Sequence, residues 1–327
     1  MQLRKKAYRY ADGSADQIQE GGLIDTNRSL IIAGVNKAGT TSLFSLLSAH
    51  PSIVPSRVKE TCFFLPARYG NRVGRPAEYL DFFPSAQSGD FFLDATPGYF
   101  YGAERVVAAI KRTVHPDSRI ILIFRDPVTR AVSFFRFQKS MLMLDGQLSL
   151  RDYVDACMAQ TEDEARLEAN NSYFGVEGGR YSKYLQPWLT GFGANLLILF
   201  TEDLSVRPAE TLRHAFDWLE LPAENVADIV ASSARDNVTV GYRSRGLQAV
   251  ALHANRFLEP VLRTNPWVKR MLRSLYQRFN ARPLRVQDSD DEAVERLKAF
   301  YVDSNRELAE MLHEHGIRSL PNWLASG

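Results

Sequence analysis

The stretch Leu30-Ile-Ile-Ala-Gly-Val-Asn-Lys-Ala-Gly-Thr-Thr-Ser-Leu43 constrains the fold more than any other part of the chain. It opens with a continuous apolar run, Leu30 to Val35, of the kind required by a strand buried on both faces. Gly34 and Gly39 lie five residues apart, and Thr41 to Ala49 then reads as a helix stopped at His50-Pro51. Strand, glycine loop and helix in that order present unpaired N–H groups and a positive dipole end, where an anion can sit. A plain βα turn without a ligand is the competing explanation of the same residues.

The remaining pattern repeats the alternation. Short apolar segments recur at Ile53 to Pro55, Phe91 to Leu93, Arg119 to Phe124 and Leu196 to Phe200. Helical patterns fill Ala103 to Thr113, the segment opened by Asp126-Pro127, 149–168, 180–190 and Pro208 to Glu220. Asp291 to His315 carries Val294, Leu297, Tyr301, Leu308 and Leu312 at helical spacing and reads as a packing helix. Short strands alternating with helices predict an α/β fold: a P-loop-like central parallel sheet flanked by helices on both faces. No internal repeat or low-complexity linker appears, so the expected organisation is an N-terminal tail over 1–28 and one domain over 29–327.

Composition removes several function classes. Forty basic and 38 acidic residues leave a net charge of +2, which argues against a nucleic-acid-coating role. Cys62 and Cys157 are too few for a disulfide framework or a zinc cage, and a reducing compartment is the simpler expectation. The charged start lacks a signal-peptide core, and no run approaches the ~20 apolar residues of a membrane span. The chain therefore reads as soluble and cytoplasmic. The exception to its even charge is 255–287, where Arg256, Arg263, Lys269, Arg270, Arg273, Arg278, Arg282 and Arg285 face only Glu259. That stretch is either a helix pair with a solvated basic face or a surface for an anionic acceptor or lipid headgroups.

The glycine loop departs from an ATPase loop in one informative way. Lys and Ser/Thr should follow the second glycine directly to hold phosphate and magnesium. Here Thr40 and Thr41 occupy those positions and Lys37 sits inside the loop. The expected phosphate site is thus the backbone of Ala38 to Ser42, with hydroxyls from Thr40, Thr41 and Ser42 and a point charge from Lys37, and no metal. A second segment, Phe124-Arg-Asp-Pro-Val-Thr-Arg-Ala-Val-Ser133, puts Arg125 at the carboxyl end of a strand, where open α/β sheets bind ligands. Ser133 follows about two helical turns later. Together they can clasp a second phosphate, unless Arg125 merely pairs with a nearby acid.

These two segments, in this order, resemble the PAPS-dependent sulfotransferases (PAPS is 3′-phosphoadenosine 5′-phosphosulfate), nearest to the bacterial and heparan-sulfate-type carbohydrate enzymes. Lys59-Glu-Thr-Cys-Phe-Phe64, Asp94-Ala-Thr-Pro-Gly-Tyr99, Gly179 to Leu185 and Thr201-Glu-Asp-Leu204 extend the likeness over most of 29–325. The resemblance implies a sulfotransferase fold, a PAPS donor leaving as 3′,5′-ADP, and a carbohydrate, glycolipid or small-molecule acceptor. It implies that Lys37 and residues 38–42 hold the 5′-phosphosulfate and that Arg125 and Ser133 hold the 3′-phosphate. Arg243 and Ser244 would close over the nucleotide. Glu60 would be the general base, with Lys59, Arg180 and Tyr181 as acceptor contacts. None of the six histidines occupies a comparable position. The chain departs from some glycan enzymes in having Ala95 where they carry a lysine before Thr-Pro.

Two other readings remain open. A nucleotide kinase would use the same loop but needs magnesium. A non-catalytic nucleotide-binding relative would keep the fold without the chemistry.

Overall fold

The computed structural model describes residues 28–83, 90–233, 241–242, 281–282 and 290–325. Residues 1–27, Arg243 and Ser244, and all of 255–287 except Ala281 and Arg282 lie outside the described residues.

Five parallel strands form the central sheet: β1 (Arg28–Gly34), β2 (Ile53–Pro55), β3 (Phe91–Ala95), β4 (Arg119–Phe124) and β5 (Leu196–Phe200). Their order is β2-β3-β1-β4-β5, with Arg28 opposite Phe91 and Leu30 opposite Arg119. Every residue of β3 is buried, as are all but the first of β1 and of β4. Consecutive buried residues mean that both faces of the sheet are covered, which explains why these strands are unbroken apolar runs rather than alternating ones. Arg28, expected in a tail over 1–28, belongs to β1, with its guanidinium 4.4 Å from the Phe91 ring centre.

The helices form where the sequence pattern indicates, with one exception. The pattern over 149–168 is not one helix but two, Leu150–Met158 and Glu162–Arg166. Thr161 restarts the chain through a capping box: its hydroxyl accepts from the Glu164 N–H while the Glu164 carboxylate accepts from the Thr161 N–H. Local side-chain bonds of this kind outcompete helix continuation. The 24-residue helix Asp291–Glu314 buries Ala293, Leu297, Tyr301, Ser304, Leu308 and Leu312, one stripe at helical spacing. Burying each Leu of that stripe contributes roughly 1.5–3 kcal/mol. A separate two-residue antiparallel ladder pairs Gly241–Tyr242 with Ala281–Arg282.

The sheet brings the carboxyl ends of β1, β3 and β4 side by side, because parallel neighbours end at the same edge. At that edge the backbone of Gly34 passes close to Phe100, whose carbonyl accepts from the Trp188 indole N–H at 3.0 Å. A Cβ on Gly34 would lie 2.6 Å from the Phe100 Cβ, an atom fixed to the main chain. Gly34→Ala should therefore lower the unfolding free energy by about 1–3 kcal/mol through overpacking. A wild-type urea midpoint in that variant would contradict the close approach.

Candidate active site

At the end of β1 the chain reverses through two left-handed residues, Lys37 at φ +68° and Gly39 at φ +83°. Gly39 begins the helix Thr40–Leu47 without a side-chain cap, and the first helical bond runs from Leu43 N–H to the Gly39 carbonyl at 3.0 Å. The N–H groups of Gly39, Thr40, Thr41 and Ser42 thus have no partner inside the helix. Strand β4 delivers Arg125 beside this loop. Its Nη1 donates to the Lys37 carbonyl at 3.0 Å and its Nε to Thr129 Oγ1 at 3.2 Å. The next helix, Pro127–Ser140, is capped by Asp126, which accepts from the Val128 and Thr129 N–H groups. It carries Ser133 and Phe137 along the same opening.

Two hydroxyls lock these loops together. Thr201 Oγ1 lies 2.7 Å from the Ala38 carbonyl and 2.9 Å from the Phe124 carbonyl, so its one proton is shared between the two loops. The Tyr181 hydroxyl donates to the Arg125 carbonyl at 2.9 Å while its ring stacks on Phe124 at 4.8 Å.

A cleft of about 540 Å³ opens between these loops. Lys37, Gly39, Thr40, Thr41, Ser42, Glu60, Arg125 and Ser133 all line it. The Lys37 ammonium sits 4.2 Å from the Phe137 ring centre. Burial, and then the Arg125 guanidinium, push its pKa below the ordinary 10.5, against the opposing pull of Glu60. Two cations held this close in partly dry surroundings favour an anion between them.

The opposite wall is the turn after β2. Glu60 has φ +64° and Cys62 φ +56°, both in the left-handed region. The Lys59 ammonium lies 3.0 Å from the Glu60 carboxylate, whose side chain is 52% exposed, so this pair is weak and the carboxylate stays reachable. Behind it, Asp94 at the end of β3 is fully buried. It accepts from Thr61 Oγ1 at 2.8 Å, Tyr99 OH at 2.9 Å and Thr96 Oγ1 at 3.2 Å. Burial pushes its pKa up to about 6, with the three hydroxyls pulling the other way.

Most residues expected at the site converge on the cleft, with four exceptions among the described residues. Lys59 does not line it and reaches it only through its pairing with Glu60. Ala38 is buried, and only its backbone takes part, through Thr201. Arg180 does not line the cleft but faces Glu162 and Glu177, at 3.7 and 3.5 Å. Tyr181 is fully buried and holds Arg125 from behind. Neither lines the cleft: one pairs with two carboxylates elsewhere and the other has no exposed surface. Arg243 and Ser244 lie outside the described residues. Cys62 and Cys157 are both free thiols.

Several cleft residues carried no assigned role from sequence: Arg68, Tyr69, Thr96, Gln138 and Asn171. Thr96 had a signal, since it sits inside the Asp94 to Tyr99 segment. Arg68 had none. It lies within about 5 Å of the Tyr69, Tyr101 and Phe174 ring centres, with no carboxylate within ion-pair distance among the described residues.

Fold and cleft together define an α/β protein that gathers a lysine, an arginine and an uncapped helix start at adjacent strand ends. Residues 105–245 match the family model described as a sulfotransferase domain. Mouse heparan sulfate glucosamine 3-O-sulfotransferase 3B1 is 30% identical over 193 residues, covering 58% of this chain and 45% of that protein. Human bifunctional heparan sulfate N-deacetylase/N-sulfotransferase 3 is 26% identical over 304 residues, covering 90% of this chain and 31% of that protein. The sulfotransferase from Alicyclobacillus acidocaldarius shares the fold, with a TM-score of 0.62 and 18% identity over 90% of this chain and 98% of that one. The chain is thus similar to the sulfotransferases in the domain match over residues 105–245 and in its fold. It spans less than half the length of the two curated relatives described. Among the described residues no helix is long and apolar enough to cross a membrane.

The raised pKa of Asp94 carries a stability consequence with a definite sign. Between its ordinary value of 3.8 and about 6 the folded state holds a proton that the unfolded chain has released. Stability from this group is therefore full below pH 4 and falls as pH rises through 6. Relative to Asp94→Asn, the native protein should lose about 2.5 kcal/mol of unfolding free energy between pH 4 and 7.5. Denaturant titrations of both proteins at several pH values measure this. A constant difference would contradict the buried carboxyl.

Proposed function

We propose that this protein transfers the sulfuryl group of PAPS to a hydroxyl of a carbohydrate-type acceptor. The observation that carries the reading is the convergence of Lys37, the uncapped amides of 39–42, Arg125, Ser133 and Glu60 on one cleft. These residues fit a nucleotide with phosphate groups at both its 5′ and 3′ ends. The first-turn amides and Lys37 hold the 5′-phosphosulfate. Arg125, with Nη2 unengaged among the described residues, and the Ser133 hydroxyl hold the 3′-phosphate.

Bound PAPS supplies an activated sulfur–oxygen bond. Glu60 takes the proton of the acceptor hydroxyl as that oxygen forms its new bond to sulfur. The bond between sulfur and the bridging phosphate oxygen breaks, and its electron pair leaves with 3′,5′-ADP. Lys37 and the loop dipoles stabilise the charge that grows on the leaving phosphate. In this reading no metal takes part.

The acceptor class follows from the far wall and from the relatives. Arg68, backed by three rings and without an acid partner among the described residues, suits a carboxylate or sulfate on the acceptor. The relatives named for heparan sulfate support a carbohydrate. Peripheral membrane contact through 255–287 and a single domain over 29–327 belong to the same proposal. So does a reducing, cytoplasmic setting, which the two free thiols suit.

Transfer of labelled sulfate from PAPS across a panel of glycans, glycolipids and small alcohols, read by mass, tests the reading directly. Transfer to none of them overturns it, and tighter binding of ATP–Mg than of 3′,5′-ADP favours the kinase alternative. Lys37→Ala and Arg125→Ala should each weaken 3′,5′-ADP about tenfold to a hundredfold in calorimetric titration, the worth of one charge-assisted hydrogen bond. Native affinity in both variants contradicts the nucleotide assignment.

Glu60→Gln should leave 3′,5′-ADP affinity unchanged while lowering kcat by roughly 10²–10⁴-fold, because a base acts only at the reacting centre. A loss of nucleotide affinity matching the loss of kcat contradicts its role as the base.

A further inference from the structure

The Glu60 turn has an unusual backbone, and its support comes from a different strand. Left-handed φ angles at two non-glycine residues, Glu60 and Cys62, persist only where the surroundings hold them. No glycine or asparagine in Lys59 to Phe64 eases the turn. The restraint comes from hydrogen bonds centred on Asp94. Its Oδ2 accepts from both Thr61 Oγ1 and Tyr99 OH, while its Oδ1 accepts from Thr96 Oγ1. Thr96 Oγ1 accepts in turn from the Cys62 N–H at 3.2 Å, and Tyr99 OH from the Phe64 N–H at 3.2 Å. Thr61 Oγ1 also accepts from the Phe63 N–H at 3.3 Å. Three successive backbone N–H groups of the turn, those of Cys62, Phe63 and Phe64, are therefore held by hydroxyls that all donate to one buried carboxylate.

The electron flow along these bonds is consistent. An ionised Asp94 can only accept, so each of the three hydroxyls commits its proton inward and turns a lone pair toward the turn. Replacing the carboxylate by an amide introduces two N–H donors among three hydroxyls. At least one hydroxyl must then turn its proton away from this position, and the network that orients the turn loses one of its inward donations.

We propose that Asp94 is a positioning residue for Glu60: through Thr61, Thr96 and Tyr99 it holds residues 60–64 in the backbone shape that presents the Glu60 carboxylate to the cleft. Asp94 itself touches no substrate, being fully buried behind the turn. The inference rests on the proposed role of Glu60 as the base. It adds the device that fixes where that base stands.

The test uses the full chain with PAPS and whichever acceptor the transfer panel returns. Asp94→Asn and Thr61→Val are each measured for kcat, acceptor KM and 3′,5′-ADP affinity, alone and combined with Glu60→Gln. Thr61→Val removes one link from the turn side and keeps the buried carboxylate, which covers the case in which Asp94→Asn does not fold. The expected result is a fall in kcat of tenfold or more in each single variant, with 3′,5′-ADP affinity within twofold of wild type. In the Glu60→Gln background neither change should lower kcat further, because the group being positioned is already gone. Full kcat in both Asp94→Asn and Thr61→Val, with Glu60→Gln impaired, overturns the positioning role alone. A kcat loss that persists undiminished in the Glu60→Gln background also overturns it. Wild-type kcat in Glu60→Gln overturns the reading of Glu60 itself, and the proposal with it.

Discussion

Arg125 donates to the carbonyl of Lys37, and that contact joins the loops leaving two adjacent parallel strands. Because β1 and β4 run side by side in the same direction, their following helices start at one edge of the sheet. Thr201 from the end of β5 and Tyr181 from behind hold the same junction. The cost of the arrangement is electrostatic. Lys37 and Arg125 are drawn together in a partly buried cleft, and the lowered pKa of the lysine registers that cost. Such a site is built to be completed by a multiply charged anion, and its dipoles need no reorganisation when one arrives.

The facing wall obeys a different logic. Glu60 stands opposite this positive edge, neutralised only weakly by Lys59 and open to solvent. The turn that carries it has little freedom, because buried hydroxyls converging on Asp94 occupy its backbone donors. In the proposed function this arrangement separates two tasks, anion binding at the loops after β1 and β4 and proton removal at the turn after β2. Aromatic rings around Arg68 add a third element, a cation kept available by stacking instead of being spent on a local acid.

How much of this was legible in the chain differs by element. The five strands were visible as mainly apolar runs, since double-sided burial leaves few polar residues to blur them, Ser29 and Asp94 being the fully buried exceptions. The break in 149–168 was not, because a capping box at Thr161 and Glu164 depends on local bonds that hydrophobic period does not register. Lys37, Gly39 to Ser42, Arg125 and Ser133 could be found because each depends on local order, a glycine loop or an arginine at a strand end. Arg180 and Tyr181 lie off the cleft for the opposite reason: adjacent residues in a matching segment face different neighbours. One meets the carboxylates of Glu162 and Glu177, and the other is sealed under Arg125.

The amino-acid order by itself determined the parallel α/β class and the uncapped helix start, along with the lysine and arginine around it. These are short-range properties, set by apolar runs, glycine spacing and the missing metal-binding pair after Gly39. Only the tertiary structure decided that Glu60 shares a cleft with Lys37, that Arg68 lines it among three aromatic rings, and that Asp94 bonds to a turn more than thirty residues before it. Those relations cross from strand to strand. They depend on sheet order and side-chain direction, which a linear pattern does not encode.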